Sequence, residues 1–86
     1  MISVVESKLN RVFEALGSPI RATTEDGDLF VRDIIVTPGD DGFYEVFEAA
    51  TPTGPIHTVS SDDPATVAGV VAIHIARRII AAAVED

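Results

Sequence analysis

The residues best suited to acid–base chemistry are the two histidines of the sequence, His57 and His74. A catalytic histidine needs a nucleophile beside it and a carboxylate that orients it. Ser60, Ser61 and Asp62 follow His57 closely, but no nucleophile-elbow pattern surrounds them. Ser61 and Asp62 are equally suited to begin a helix, and His74 falls within a helical stretch where an edge or interface position is typical. We therefore predict that the protein is not an enzyme and has no catalytic residue.

Aspartates form a second chemically suggestive pattern, because they occur as close pairs: Asp26 with Asp28, Asp40 with Asp41, and Asp62 with Asp63. A calcium loop requires several oxygen ligands and a late bidentate glutamate, and neither of the first two pairs stands in such a set. Cysteine is absent, which excludes disulfides and thiolate metal sites. Tight turns also prefer aspartate and glycine. We therefore interpret the pairs as turn residues and predict no metal site and no cofactor.

The acidic side chains give the chain a formal net charge of −8, from 14 acidic and 6 basic residues. Such a chain repels phosphate backbones, which argues against nucleic acid as a direct partner. The same carboxylates could instead imitate phosphates and block the basic groove of another protein. The alternative function is thus an acidic nucleic-acid-mimic inhibitor of a host nucleic-acid-binding protein. It would suit a phage- or mobile-element-encoded protein from a GC-rich host, since five of the six basic residues are arginine.

A helix is predicted at the start of the chain, where apolar residues recur with helical spacing. Ser3 and Glu6 have the spacing of a capping box. Gly17 and Pro19 end the helix after Leu16. The apolar stripe consists of Ile2, Val5, Leu9, Val12, Phe13 and Leu16.

Residues 20–60 change to the alternating pattern of β-strands. Asp26-Gly27 is the strongest short hairpin signal, and glycine- and proline-rich turns follow at residues 38–42 and 51–55. The predicted strands are residues 20–25, 28–37, 43–50 and 56–60. Strand pairing across the first turn joins Thr23 to Phe30 and Arg21 to Arg32. The second turn would place Arg32 opposite Glu48, Ile34 opposite Val46 and Val36 opposite Tyr44.

A second helix is predicted from Asp63 to Asp86, because acidic residues precede Pro64 at the first helical position. This helix is apolar on almost every side, and such a helix is normally buried. We expect its small residues to face the sheet or the first helix, namely Ala65, Gly69, Ala72, Ala76 and Ala83. The flanking isoleucines would then fill the core: Ile73, Ile75, Ile79 and Ile80.

The predicted fold is a small single α+β domain spanning residues 1–86, with an antiparallel meander sheet and two helices on one face. The element order is α-β-β-β-β-α, or α-β-β-β-α if the short first strand frays. The shorter order resembles the double-stranded-RNA-binding domain in topology. That family contacts RNA through a lysine-rich start of its second helix, where this sequence has Ser61, Asp62, Asp63 and Pro64. The resemblance therefore implies no RNA binding here.

The two helices can cover only one face of the sheet, so the other face should keep apolar residues exposed. We assign Leu29, Val31, Ile35 and Phe47 to the covered face. Exposed apolar patches on small soluble proteins usually mark interaction sites. The predicted interface residues are Val67, Val70, Val71 and His74 on the second helix, or Ile34, Val36, Tyr44 and Val46 on the open sheet face.

From these features we expect a non-enzymatic protein–protein interaction module whose partner is a second copy of the chain, forming a homodimer, or another protein. Residues 1–17 contain no apolar signal-peptide region. The run from Val67 to Ala76 is interrupted by His74 and is followed by Arg77 and Arg78, so we judge it too short and too charged to span a bilayer. We therefore expect a soluble cytoplasmic protein without a membrane partner.

Overall fold

The computed structural model describes residues 2–48 and 56–85 and confirms a small α+β fold. In chain order, a helix is followed by an antiparallel meander, whose strands are neighbours in sequence order, and then by a second helix. The helices are α1 (Ile2–Ala15) and α2 (Pro64–Glu85), and the strands are β1 (Thr23–Glu25), β2 (Asp28–Val31), β3 (Ile34–Pro38), β4 (Tyr44–Glu48) and β5 (Ile56–Ser61). The predicted turn at residues 51–55 lies outside the described residues.

Helix α1 ends as its sequence predicts, but it does not begin that way. Gly17 has a φ of 70° and donates its N–H to the carbonyl of Glu14, while Ser18 N–H reaches the carbonyl of Phe13. This pair of bonds is a Schellman motif. Ser3 lies inside the first turn, and the Glu6 carboxylate accepts a hydrogen bond from Thr24 Oγ1 in β1 at 2.6 Å. The predicted capping box is therefore wrong, because Glu6 binds a strand instead.

The β1–β2 hairpin confirms the predicted turn. Asp26 and Gly27 both have positive φ values, 53° and 85°, as a type I′ turn requires. Thr23 pairs with Phe30 across this turn, which is the predicted register. The predicted pairing of Arg21 with Arg32 is wrong, because β1 begins only at Thr23 and β2 ends at Val31.

The predicted strand 28–37 is two strands, joined by a two-residue turn at Arg32 and Asp33. Val31 pairs with Ile34 across it, and Arg32 has a φ of 54°. Positive φ at the first turn position normally calls for glycine, and arginine is not a typical turn residue, so Asp33 alone is too weak a signal to predict this turn. The sheet therefore has five strands, where four were expected.

This turn also changes which residues face the helices. In β2 the odd-numbered residues Leu29 and Val31 are buried, as predicted. After the two turn residues between Val31 and Ile34, the even-numbered residues of β3 are buried instead, so Ile35 is not.

The β3–β4 connection lies one residue later than predicted, and a hydrogen bond from the Gly39 N–H to the Phe43 carbonyl closes it at 2.7 Å. The observed pairs are Ile34 with Glu48, Val36 with Val46 and Pro38 with Tyr44. The predicted β3–β4 pairs are thus wrong by two residues, and Phe47 lies with Ile35 on the outer face.

One hydrophobic core joins the helices to the inner face of the sheet. Helix α1 contributes Val5, Leu9 and Phe13, and the strands contribute Leu29, Val31, Ile34, Val36, Tyr44 and Val46. Helix α2 contributes Val67, Ala68, Val71 and Ile75.

The predicted orientation of α2 is wrong. Ala65 and Ala83 are exposed, Gly69 and Ala76 are half-buried, and three of the four isoleucines expected in the core are exposed: Ile73, Ile79 and Ile80. Ala72 is half-buried against the core, and of the four isoleucines only Ile75 is buried. The valines at four-residue spacing bury more apolar area than alanines and glycine would, so they determine the inward face.

A side-chain amide ties α1 to the chain that enters β1. Asn10 Nδ2 donates to the carbonyl of Ala22 at 3.1 Å, and Ala22 N–H donates to Asn10 Oδ1 at 2.7 Å. Both backbone groups of the buried Ala22 are therefore satisfied by one side chain.

We predict that Asn10→Ala lowers the free energy of unfolding by about 1–2 kcal/mol, because two buried backbone groups lose their partner while alanine slightly favours the helix. Urea denaturation measures the change. The exposed neighbour provides a control, since Arg11→Ala should stay within about 0.5 kcal/mol of the parent. Equal effects of the two changes would contradict the role given to Asn10.

Candidate interaction surfaces

Helix α2 is longer than the sheet that it covers. Its 22 residues extend about 33 Å, whereas the longest strand has six residues and extends about 20 Å. Residues 79–85 are all exposed as a result. We call these residues the overhang of α2.

Large apolar side chains are exposed on α2 and beside the end of α1, and we call them the apolar patch. The fractional exposures are 68% for Leu16, 52% for Ile73, 47% for Ile79, 61% for Ile80 and 79% for Val84. Leu16, Ile79 and Ile80 line one groove of about 450 Å³ between the two helix ends. Exposed apolar surface such as this groove usually marks a site of contact with another molecule.

An ion-pair cluster holds α2 where it leaves the sheet. The Arg78 guanidinium contacts the carboxylates of Asp33, in the β2–β3 turn, and of Glu48, at the end of β4. All three side chains are half-buried. A cavity of about 420 Å³ lies beside the cluster, lined also by Ile75 and Ile79. No sequence pattern predicts this cluster, because only the unpredicted turn at Arg32 and Asp33 brings the three residues together.

Most of the predicted interface residues lie in the core of the single chain. Ile34, Val36, Val46, Val67 and Val71 are fully buried, and Tyr44 is nearly so. The interface prediction is wrong for these six, because side chains that pack inside one chain cannot contact a partner. Val70 and His74 are half-buried on α2.

The exposed isoleucines of the patch were instead assigned to the core from the sequence. The unpredicted turn at Arg32 and Asp33 concealed the overhang, because the predicted strand 28–37 would extend about 33 Å, as far as α2 does.

The outer face of the sheet offers a second, smaller apolar surface. Phe30 pairs with Ile35, and Ile35 pairs with Phe47, so the three side chains form a row across three strands. Each is half-buried, and none reaches the exposure of the patch residues. The apolar patch is therefore the leading candidate for a contact surface.

The meander collects the acidic turns at one end of the sheet, which we call the acidic end. The β1–β2 turn, the β3–β4 turn and the end of β5 all lie there, because alternate connections of an antiparallel meander share an end. This end carries six aspartates: Asp26, Asp28, Asp40, Asp41, Asp62 and Asp63. Helix α2 begins at the acidic end and runs to the opposite end, where Arg78 meets Asp33.

Asp63 is the N-cap of α2, as predicted. Its Oδ1 accepts the N–H of Ala65 at 3.3 Å, and its Oδ2 accepts the hydroxyl of Thr66 at 2.7 Å. The hydrogen bond from Thr66, followed by that from Ala65, holds the pKa of the Asp63 carboxyl below its ordinary value of 3.8. Asp63 thus has a structural role at the helix start.

The described parts of the chain add no evidence for catalysis by the histidines or for metal binding by the aspartates. No group of three or more histidine, aspartate or glutamate side chains that could hold a metal ion occurs within residues 2–48 and 56–85. The side chain of His57 lies outside what the structure describes. The expectation of a non-enzymatic protein stays a prediction.

By length and composition alone, α2 is long and apolar enough to cross a membrane. Its mean hydropathy is 1.8 over 18 residues, of which 22% are buried, and no other described helix meets this test. The prediction that this stretch is too short and too charged to span a bilayer is therefore wrong, because the helix passes the test with Arg77 and Arg78 included. Core helices of soluble proteins pass it as well, so the expectation of no membrane partner stays untested.

The chain matches no protein-family model, no curated protein and no solved structure. A small α+β fold does not by itself indicate a function. The surfaces described above are therefore the basis for a functional proposal.

We predict that the Asp63 carboxylate stabilises the protein at neutral pH and that this contribution is lost in acid. Because the folded-state pKa is lowered, the contribution is present above pH 3.8 and disappears as the pH falls through the folded value. Asp63→Asn keeps a good N-cap without a titrating charge. The melting temperature of the parent should exceed that of Asp63→Asn by a few degrees at pH 7, and the difference should vanish at low pH. A difference that is independent of pH would contradict the prediction.

Proposed function

We propose that this protein is a non-enzymatic protein–protein interaction module that forms a homodimer through the apolar patch on α2 and the end of α1. One observation carries the proposal: α2 is an apolar helix of 22 residues, and only four of them are buried in its own chain. An apolar helix is normally covered, and 86 residues provide too little other surface to cover this one. The absence of cysteine agrees with a reducing, cytoplasmic location.

A stable dimer interface has to be larger than the apolar patch alone. Stable interfaces bury about 800 Å² on each partner, whereas an exposed patch on a monomer typically covers a few hundred Å². The contact therefore has to include neighbouring residues of α2, such as Ala76 and Arg77, and the walls of the groove beside Leu16. Ala76 lines the same groove as Leu16, Ile79 and Ile80.

We predict that Ile80→Asp raises the dissociation constant of the dimer at least about 100-fold without unfolding the monomer. In a symmetric dimer the substitution removes two buried Ile80 side chains, one from each copy. Each buried side chain contributes about 1.5 kcal/mol to association, and the sum corresponds to about 100-fold in the dissociation constant. Light scattering over a concentration series gives the association state, and circular dichroism gives the melting temperature.

The matched control is Val4→Asp, which places the same charge at an exposed valine in the first turn of α1, away from the patch. This variant should dimerise like the parent. A parent protein that remains a monomer of about 9 kDa at high micromolar concentration would contradict the proposal, as would equal effects of the two variants.

A second candidate function is favoured by the acidic end. Five of its six aspartates are exposed, with only Asp28 half-buried, so a dense set of carboxylates faces one direction. Such a surface could occupy the basic groove of a nucleic-acid-binding protein, as an inhibitor encoded by a phage or mobile element would. Attraction between the two surfaces would be screened by salt.

If the acidic end is the functional surface, Asp26→Asn combined with Asp40→Asn should abolish capture of nucleic-acid-binding proteins from a lysate of a GC-rich bacterium. Asparagine is compatible with both turns. Glu14→Gln combined with Glu85→Gln removes the same charge from two exposed sites elsewhere and should leave capture intact. Capture should occur at low salt and fail at high salt. Recovery of no basic partner, or equal loss with both pairs, would reject this candidate.

A further inference from the structure

We infer that the second copy docks with its α2 antiparallel to the first, on a two-fold axis that passes between Ala76 and Arg77. This inference rests on the proposed homodimer and adds the orientation and the contacts. The axis makes the contact isologous, so that each residue on one side of the axis meets its counterpart from the other side. Three features of α2 support it: the spacing of the exposed residues, the open space at Gly69 and the distribution of charge.

The exposed residues of α2 are arranged symmetrically about this point. Ile73 and Ile80 lie at equal distances on either side of it, and both are more than half exposed. At 100° per residue, the two isoleucines and Val84 fall on one stripe that points away from the buried face of Val67, Val71 and Ile75. In an antiparallel pair, Ile73 of each copy contacts Ile80 of the other.

Gly69 and Val84 form the next symmetric pair, and they differ in size in a complementary way. Gly69 lies in the middle of the helix, where glycine is less favourable than alanine. Among residues 2–48 and 56–85 nothing requires glycine there, because an added Cβ atom would meet no atom of that part of the chain within 4 Å. Val84 is 79% exposed. The antiparallel pair places Val84 of one copy over Gly69 of the other, where the missing side chain permits close approach of the helices.

The charge distribution selects antiparallel over parallel pairing. A parallel pair would hold the two acidic ends side by side, at the helix spacing of about 10 Å. With the axis between Ala76 and Arg77, an antiparallel pair separates the two acidic ends by about 40 Å along the helices, which is several Debye lengths at physiological salt.

Disulfide trapping tests the orientation directly, because the chain has no cysteine of its own. Ile73→Cys and Ile80→Cys are made separately, one with a size tag, after scattering has established that both still dimerise. In the antiparallel pair, a mixture of the two variants should cross-link into a heterodimer under mild oxidation. Each variant alone should not cross-link, because identical positions are separated by about 10 Å along the axis, which exceeds disulfide reach.

A parallel pair gives the reverse result, with each single variant cross-linking to itself and the mixture giving no heterodimer. That result would overturn the inference while leaving the homodimer intact. A protein that stays monomeric, or that instead sediments with phosphatidylcholine vesicles, would overturn both the inference and the proposed function.

The space at Gly69 gives an independent measurement. Gly69→Leu should raise the dimer dissociation constant at least tenfold, because leucine occupies the position of the partner's Val84. The melting temperature of the monomer should not fall, since the position is open in the single chain. Ala81→Leu is the matched control, on an exposed side of α2 away from the stripe, and should leave association unchanged. Unaltered association in Gly69→Leu would overturn the proposed contact.

Discussion

The length of α2 relative to the strands is the constraint on which the rest of this structure depends. The helix begins at the Asp63 cap beside one end of the sheet and is held at the other end by Arg78, between Asp33 and Glu48. Strands of three to six residues end at that point, but the helix continues to Glu85. The core can therefore bury only the part of α2 that lies over the sheet. The remaining apolar turns are left in solvent, together with Leu16 at the end of α1.

The alternating connections of the meander determine which end of the sheet carries the aspartates. Because successive connections alternate between the two ends of the sheet, the two aspartate-rich turns and the start of α2 lie together. The single unpredicted turn, at Arg32 and Asp33, lies at the other end. A molecule with net charge −8 thus concentrates its aspartates at one end of α2 and its apolar patch near the other. The proposed antiparallel dimer would keep the acidic ends apart, which would limit the electrostatic cost of bringing two acidic molecules together.

The Arg32–Asp33 turn also determines the composition of the core. It adds two residues between Val31 and Ile34 and so places Leu29, Val31, Ile34 and Val36 on one face. The conformation costs about 1 kcal/mol, because a residue with a Cβ atom has positive φ at Arg32. Burial of four large side chains offsets that cost several times over. The same turn places the Asp33 carboxylate against Arg78. The packing of the core and the ion pair that holds α2 before the overhang therefore both depend on the conformation of this turn.

The sequence by itself determined the elements whose signals are local. The end of α1 at Gly17, the hairpin at Asp26-Gly27, the cap at Asp63 and the α+β order follow from residue types at fixed offsets. The register of β3, the inward face of α2 and the Arg78 cluster were decided only by tertiary packing. Val67 and Val71 and the neighbouring isoleucines are all apolar enough to be buried. In a helix that is apolar on nearly every side, no sequence pattern predicts which of these residues face the core. The buried face of α2 is the one that the short sheet and α1 together can cover, and that is a property of the assembled fold.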